Sequence, residues 1–362
     1  RPRNVASVVE EIRTLHEKYP EMEGVFFDEE VHNIKKSFNI SLAKAIRSAG
    51  LDHLKYEAMC EYASLDEEAL EEMRSAGYYK IRFGIETGSD KVAEKMTLGK
   101  KHDLDKLRAM VKFGKSLGML FYGTISIGGL GSNQEEDQKT VDLVYEMASK
   151  GWLDEVQVSI NTPQPGTDFY NSCMEESLIS TSTNWEGFDG NGQVVVHYPH
   201  YPAEAIQANF NKALAAFDFG KEEAQSKIFA ENAESSFNLI PDGSRVLLLR
   251  SVRNWMIRLI LENLNKDIDL LGQDVSEKDL KDMEGINKIY SYGAGFFSTD
   301  SLSGELIEKL RNENYDFVLI PIANNHLQGY QNVLEVAETI FPKDILYVYP
   351  EGRLQPVSPV TI

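Results

Sequence analysis

The chain has 362 residues, 42% hydrophobic and 26% charged, proportions of a sequence that can bury a sizeable core and not of a disordered one. That length exceeds what a single hydrophobic core usually organises, so two domains are expected. A formal net charge of -20 repels phosphate backbones and anionic lipid heads, and no long basic run offsets it, which excludes nucleic-acid and membrane-surface binding as leading functions.

No uninterrupted apolar stretch reaches membrane-spanning length and no short apolar core follows the N-terminus, so a soluble, cytoplasmic protein is expected. Helical and strand patterns alternate from the start. Residues 4–19 carry Val5, Val8, Val9, Ile12 and Leu15 on one helical stripe, with Asn4 as N-cap. Residues 23–28 read as a short buried strand, 40–49 as a helix stopped by Gly50, and 53–60 as a strand. A helix over 67–75, a strand over 80–85, a helix over 104–117 and a strand over 119–127 follow. Next come a helix over 138–150 and a strand over 155–160. Five apolar strands separated by helices predict a parallel α/β architecture.

The rhythm breaks between Pro163 and Leu239, with a loop-rich stretch over 180–201 and a helical run over 203–233. The turn Pro241-Asp-Gly243 marks a boundary, after which a second α/β pattern begins. Strands are expected at 245–249, 288–292, 316–321 and 344–349, and helices at 254–265, 303–312 and 329–340. The expected organisation is therefore a first domain over 1–175, a loop and helical extension over 176–240, and a smaller Rossmann-like α/β domain over 241–362.

Only two cysteines occur, Cys60 and Cys173, at a spacing that suits neither a zinc site nor a disulfide framework, so both are expected to be free and buried. In Lys80-Ile-Arg-Phe-Gly-Ile-Glu-Thr-Gly-Ser-Asp90 an apolar strand ends in a carboxylate and a glycine turn, the place where barrel folds present site residues. A glutamate there accepts both hydroxyls of a ribose, or is merely part of a turn. Asp28-Glu-Glu30, after the expected first strand, reads as a solvated acidic turn or a divalent-cation site with His32.

Phe83-Gly-Ile-Glu-Thr-Gly-Ser89 followed by Met96-Thr-Leu-Gly-Lys100 resembles the fourth-strand region of radical-SAM enzymes, particularly the subfamily that often carries a cobalamin-binding domain upstream. Other segments resemble that family in the same order. Arg1-Pro-Arg-Asn-Val-Ala-Ser-Val-Val-Glu-Glu-Ile12 is similar to the helix after its cluster loop, Val25-Phe-Phe-Asp-Glu-Glu30 to its second strand, and Leu70-Glu-Glu-Met-Arg-Ser-Ala-Gly77 to the helix before its fourth. Tyr122-Gly-Thr-Ile-Ser-Ile-Gly-Gly-Leu-Gly131 is similar to its fifth-strand segment, and Thr162-Pro-Gln-Pro-Gly-Thr167 to the turn closing its sixth.

The resemblance implies a partial TIM-like (β/α)6 barrel lacking its first strand. It implies cofactor-binding roles for Asp28 and Glu29 at the methionine ammonium of S-adenosylmethionine, and for Glu86, with Thr87 beside it, at the ribose. Ile125, Ile127 and Gly128 are implied along the adenine, and Thr162 at the sixth-strand turn. It further implies a [4Fe-4S] cluster, an external electron donor, a small-molecule substrate and, where the companion domain is present, cobalamin. The expected activity is reductive cleavage of S-adenosylmethionine followed by radical modification or methylation. The alternatives are a non-catalytic S-adenosylmethionine- or nucleotide-binding protein and a nucleotide-sugar-using transferase.

Two departures stand out. The family's cluster needs three closely spaced thiolates, which Cys60 and Cys173 do not supply, so the cluster loop and first strand are expected to precede Arg1, and no metal ligand is assigned within the chain. At the third strand, where relatives often carry an arginine, Glu61 stands instead.

Weaker signals complete the reading. His197-Tyr-Pro-His-Tyr-Pro202 suits a structural or substrate-shaping loop better than a metal site, and Trp185, Phe188 and Tyr198 suit a substrate mouth or packing. Ser291-Tyr-Gly-Ala-Gly295 and Asn324-Asn-His326 fall where an open α/β sheet places ligands.

Overall fold

Sequential βα units lay five strands side by side in chain order: β1 (Gly24–Phe27), β2 (Lys55–Cys60), β3 (Tyr78–Glu86), β4 (Leu120–Ile127) and β5 (Glu155–Ile160). All four pairings are parallel. The computed structural model describes residues 3–98, 102–179, 187–188, 190, 193–264, 266–273, 280, 283–293, 295, 297–323, 327 and 329–357. It divides into two compact units, residues 1–221 and 222–362.

In the first unit, α1 (Val5–Lys18) precedes β1, and α2 (Lys36–Ser48), α3 (Glu67–Ser75), α4 (Asp90–Lys95), α5 (Leu104–Ser116) and α6 (Gln134–Ser149) connect the strands. Their starts are fixed locally. Asn4, Asp66, Ser89, Asp103 and Asn133 each accept a backbone N–H of the following helix as N-cap. Side chains alternate across the sheet. Ile81, Phe83 and Ile85 of β3 and Phe121, Ile125 and Ile127 of β4 join Leu70, Met73, Leu107, Val111 and Val144 of the helices in one core.

The opposite face is polar, unlike the branched aliphatic filling usual inside a closed β/α barrel. It carries Glu57, Lys80, Arg82, Gly84, Tyr122, Thr124, Ser126, Gln157 and Ser159, matched across neighbouring strands by the register. At its lower end Lys80 reaches Glu155 at 3.1 Å and Glu57 at 3.4 Å. Arg82 pairs with Glu57 and lies between the rings of Phe26 and Tyr122, 4.7 and 4.6 Å from their centroids.

Residues 176–240, read from the sequence as one extension, divide between the two units. After α7 (Asp168–Glu175), Leu178, Phe188, Val195, Val196, Tyr198 and Tyr201 are buried in the first core. So are Ile206 and Ala213 from the early part of α8 (Ala203–Ser236). Phe229, Ala233 and Phe237 belong to the second core.

The second unit holds a six-stranded sheet. Its strands are β6 (Val246–Leu249), β7 (Ile268–Gly272), β8 (Ile286–Ser291), β9 (Phe317–Pro321), β10 (Asp344–Val348) and β11 (Leu354–Pro356). Their spatial order is β11-β10-β9-β6-β7-β8, parallel except for edge strand β11. Helix α9 (Asn254–Leu264) packs on one face, and α10 (Gly304–Asn312) with α11 (Gln331–Ile340) on the other. Strand β7 escaped the sequence reading because Asp269 interrupts its short apolar run. Asp269 is 4% exposed and accepts hydrogen bonds from Tyr315 and Asn287 at 2.7 and 2.8 Å. Among the described residues no helix is long and apolar enough to cross a membrane.

Candidate functional site at the carboxyl ends of the first sheet

The polar face of the first sheet culminates in Glu86. The β3–β4 register slips between Gly84 and Glu86, and Glu86 adopts the left-handed region at φ 65°. Its carboxylate folds back over Gly84, where an added Cβ would lie 2.1 Å from Glu86 Oε1, so a larger residue there would push the carboxylate out of this position. Burial raises the Glu86 carboxyl above the usual range, and no hydrogen bond or ion pair to it is found among the described residues. A strained backbone that presents a desolvated, unpartnered carboxylate has the character of a ligand acceptor.

The neighbouring residues face different ways. Thr87 is buried: its hydroxyl lies 3.2 Å from Thr140 Oγ1 and accepts the Ser89 N–H at 3.1 Å, so it braces the turn against α6. The side chains of Ile125 and Ile127 are buried in the helix-facing core, which leaves them turned away from the face that carries Glu86. Thr124 and Ser126 alternate onto that face instead. The sequence reading passed over both, although the alternation within Tyr122-Gly-Thr-Ile-Ser-Ile127 carried the signal.

Gly128 follows at φ 77°, with its N–H donated to Asp137 and its carbonyl accepting from Tyr198. Gly129 brings the backbone so close to Asn161 Nδ2 and Met96 Sδ that an added Cβ would lie 3.0 and 2.9 Å from them. Asn161 N donates to Ile127 O at 2.8 Å, and the Thr162 hydroxyl returns to Ile160 O at 3.0 Å. The ends of β3, β4 and β5 thus converge on one rim.

Asp28 and Glu29 stand at the end of β1, two strands and therefore about 10 Å across the sheet from β3. They are not equivalent. Glu29 Oε1 lies 2.5 Å from His32 Nδ1, and this hydrogen bond holds the carboxyl below its usual range against the opposing effect of burial. Asp28 is exposed, with no hydrogen bond or ion pair found among the described residues. Both border a groove of 740 Å³ along the open edge of β1, with Phe26, His32, Ile34 and Leu42. Glu61, in the place of the family's arginine, accepts from the Ser64 hydroxyl at 2.7 Å, and Asn33 holds its backbone on both sides.

The thiols do not fit an iron-sulfur cluster. Cys60 and Cys173 are free and buried, and burial pushes both thiols up, that of Cys173 to about 11, so neither offers a thiolate near neutral pH. Among the described residues no group of three or more histidines, cysteines, aspartates and glutamates is arranged to hold a metal ion. His200 is used structurally, its Nε2 lying 3.0 Å from Ser132 O. Trp185, Ala294 of the glycine-rich segment, and Asn324-Asn-His326 lie outside the described residues. Glu86 and Asp28 are two carboxylates at these strand ends for which no hydrogen bond or ion pair is found among the described residues.

No family model matches the chain. It is 29% identical over 218 residues to an uncharacterized methyltransferase of Pyrococcus horikoshii, covering 60% of this chain and 45% of that protein. It is 24% identical over 181 residues to the cytidylyl-2-hydroxyethylphosphonate methyltransferase of Streptomyces wedmorensis, covering 49% and 33%. The chain therefore spans less than half the length of either relative. Among solved structures, the radical S-adenosylmethionine methyltransferase TsrM of Kitasatospora setae aligns with a TM-score of 0.46 at 14% identity, covering 60% of this chain and 46% of that one. The radical-SAM resemblance read from the strand-end motifs stands beside these matches.

Proposed function

We propose that the first unit is the S-adenosylmethionine-binding part of a radical-SAM methyltransferase. The observation that carries this reading is Glu86: a partly buried carboxylate with no partner among the described residues, on strained backbone, at the carboxyl end of a parallel strand and above a polar sheet face. The two relatives found by sequence are methyltransferases by name, which supports methylation as the outcome.

In this reading Glu86 accepts the two ribose hydroxyls and Asp28 takes the methionine ammonium, while Glu29 is held by His32. Backbone at Gly128 and Gly129 passes along the adenine, and Thr124 and Ser126 face the space next to the sugar. S-adenosylmethionine, when bound, would supply a methyl group or, on reductive cleavage, a 5'-deoxyadenosyl radical. The chain's own share is to orient that molecule and exclude water.

The cluster falls outside this account, because the cysteines here do not fit it; its ligands would come from sequence outside these 362 residues. The barrel is proposed as partial, a further strand adding at the edge of β1, where Phe26 and Ile34 are 42% and 66% exposed. Cobalamin, an external electron donor and a small-molecule substrate belong to the same proposal. The second unit is proposed as Rossmann-like on its strand order, whose winding reverses between β6 and β9, a place where such sheets take ligands.

Calorimetric titration of the chain with S-adenosylhomocysteine tests the reading. Binding by the native chain and at least tenfold weaker binding by Glu86→Ala are expected, from loss of a charge-assisted hydrogen-bond acceptor. Equal affinity of the two proteins overturns the assignment of Glu86.

A further inference from the structure

One buried carboxylate holds the turn after β4. Asp137, in the first turn of α6, is 1% exposed. It accepts hydrogen bonds from Gly128 N at 2.8 Å, Ser132 Oγ at 2.9 Å and the Tyr201 hydroxyl at 3.0 Å. Tyr201 in turn accepts from Asn209 Nδ2 at 2.9 Å. The carbonyl of Gly128 is taken from the other side by the Tyr198 hydroxyl at 3.3 Å, and that of Ser132 faces His200 Nε2 at 3.0 Å.

The stability of α6 does not account for this arrangement. Asn133 already caps that helix, accepting the N–H groups of Glu135 and Glu136. Glu135 and Glu136 already place negative charge at its N-terminus. Desolvating one more carboxylate is costly, and burial pushes the Asp137 carboxyl up despite its three donors. What those donors accomplish is geometric. Gly128 has a left-handed backbone at φ 77°, its peptide is clamped from α6 on one side and from Tyr198 on the other, and the next residue carries the backbone against Asn161.

We propose that Asp137 is a positioning residue for ligand binding: it sets the turn at Gly128 and Gly129 and, through Tyr201, ties that turn to residues 198–209. The inference rests on the S-adenosylmethionine reading, in which this turn runs along the adenine. It adds to that reading a residue that touches neither the cofactor nor the reacting atoms.

The test uses the 362-residue chain titrated with S-adenosylhomocysteine and with adenosine, alongside thermal unfolding and hydrogen exchange of the turn. Asp137→Ala should raise both dissociation constants about tenfold, by leaving the Gly128 N–H without its side-chain acceptor. Tyr201→Phe, which removes one hydroxyl and keeps the ring, should raise them two- to threefold and lower the melting temperature modestly, since Asp137 and Asn209 each lose one partner. Both variants should speed exchange in the turn more than in β3. Lower melting temperatures with unchanged affinities would reduce Asp137 to a stabilising role and overturn the inference, as would unaltered affinity and exchange in a folded Tyr201→Phe protein. Native protein that binds neither compound overturns the cofactor reading and this inference together. Native binding that depends on Glu86 but not on Asp137 or Tyr201 overturns this inference alone.

Discussion

Glu29 Oε1 lies 2.5 Å from His32 Nδ1, and the other ring nitrogen of His32 meets the Tyr78 hydroxyl at 2.8 Å, so a carboxylate at the end of β1 is tied through a buried imidazole to the start of β3. Removing His32 strands the Tyr78 hydroxyl and opens a hole in the stack that Phe27, Tyr56 and Tyr78 form around it. His32→Ala should therefore cost about 2–4 kcal/mol in urea unfolding near neutral pH. Glu29 has a half-exposed side chain, so Glu29→Gln should cost less than about 1 kcal/mol. Because His32 depresses the Glu29 carboxyl, its contribution is present above the ordinary carboxylate range and disappears as pH falls through the lowered value. The gap between native and Glu29→Gln stability should close on acidification. A gap that widens toward low pH would contradict the pairing.

The same pairing separates two adjacent acids that the sequence alone treats alike. With Glu29 hydrogen-bonded to His32, the proposed reading gives the ammonium to Asp28, for which no partner is found among the described residues. Asp28→Ala should weaken binding of S-adenosylhomocysteine about tenfold, the scale of one charge-assisted hydrogen bond. Glu29→Gln should change it less than about twofold, roughly 0.4 kcal/mol. Calorimetry on the two variants decides the matter, and the reverse order would return the ammonium role to Glu29.

The alternating α/β order, the five parallel strands and the glycine stops were legible because apolar periodicity and capping chemistry act locally. Placing Glu86 at a strand end was legible for the same reason. The direction of its neighbours was not. Ile125 and Ile127 look suited to an adenine face as isolated residues, yet the two-residue period of β4 commits them to the helix layer with Phe121. Asp137 gave no motif signal, because its partners Gly128 and Tyr201 are 9 and 64 positions away and meet it only in the folded chain.

Thr87 shows how a residue inside a binding motif can serve the fold. Its hydroxyl joins Thr140 and the Ser89 N–H in the interior, so Thr87→Val exchanges a satisfied buried group for a methyl and leaves the Thr140 hydroxyl and the Ser89 N–H each with one partner fewer. A stability loss of about 1–3 kcal/mol is expected, with S-adenosylhomocysteine affinity within about twofold of native. Denaturation and titration on the same preparation test both halves. An undiminished melting temperature combined with lost affinity would move Thr87 into the ligand's direct surroundings.

Glu86 should trade stability for binding. A non-glycine residue in the left-handed region is strained by roughly 1 kcal/mol or more, partly offset in a glycine variant by the extra freedom of the unfolded chain. Glu86→Gly should therefore be about 0.5–1 kcal/mol more stable than the native chain at neutral pH while losing its affinity for the adenosyl group. Glu86→Gln keeps the backbone strain and removes only the charge. Since burial raises the Glu86 carboxyl, its favourable contribution is complete below the ordinary carboxylate range and is lost as pH rises through the elevated value. The stability of Glu86→Gln relative to native should accordingly increase from acid toward neutral pH and then level off. Urea titrations of both variants across that range would reveal it. A native chain more stable than both variants at neutral pH would mean that the carboxylate has a partner within the fold, and the case for Glu86 as a ligand acceptor would fall with it.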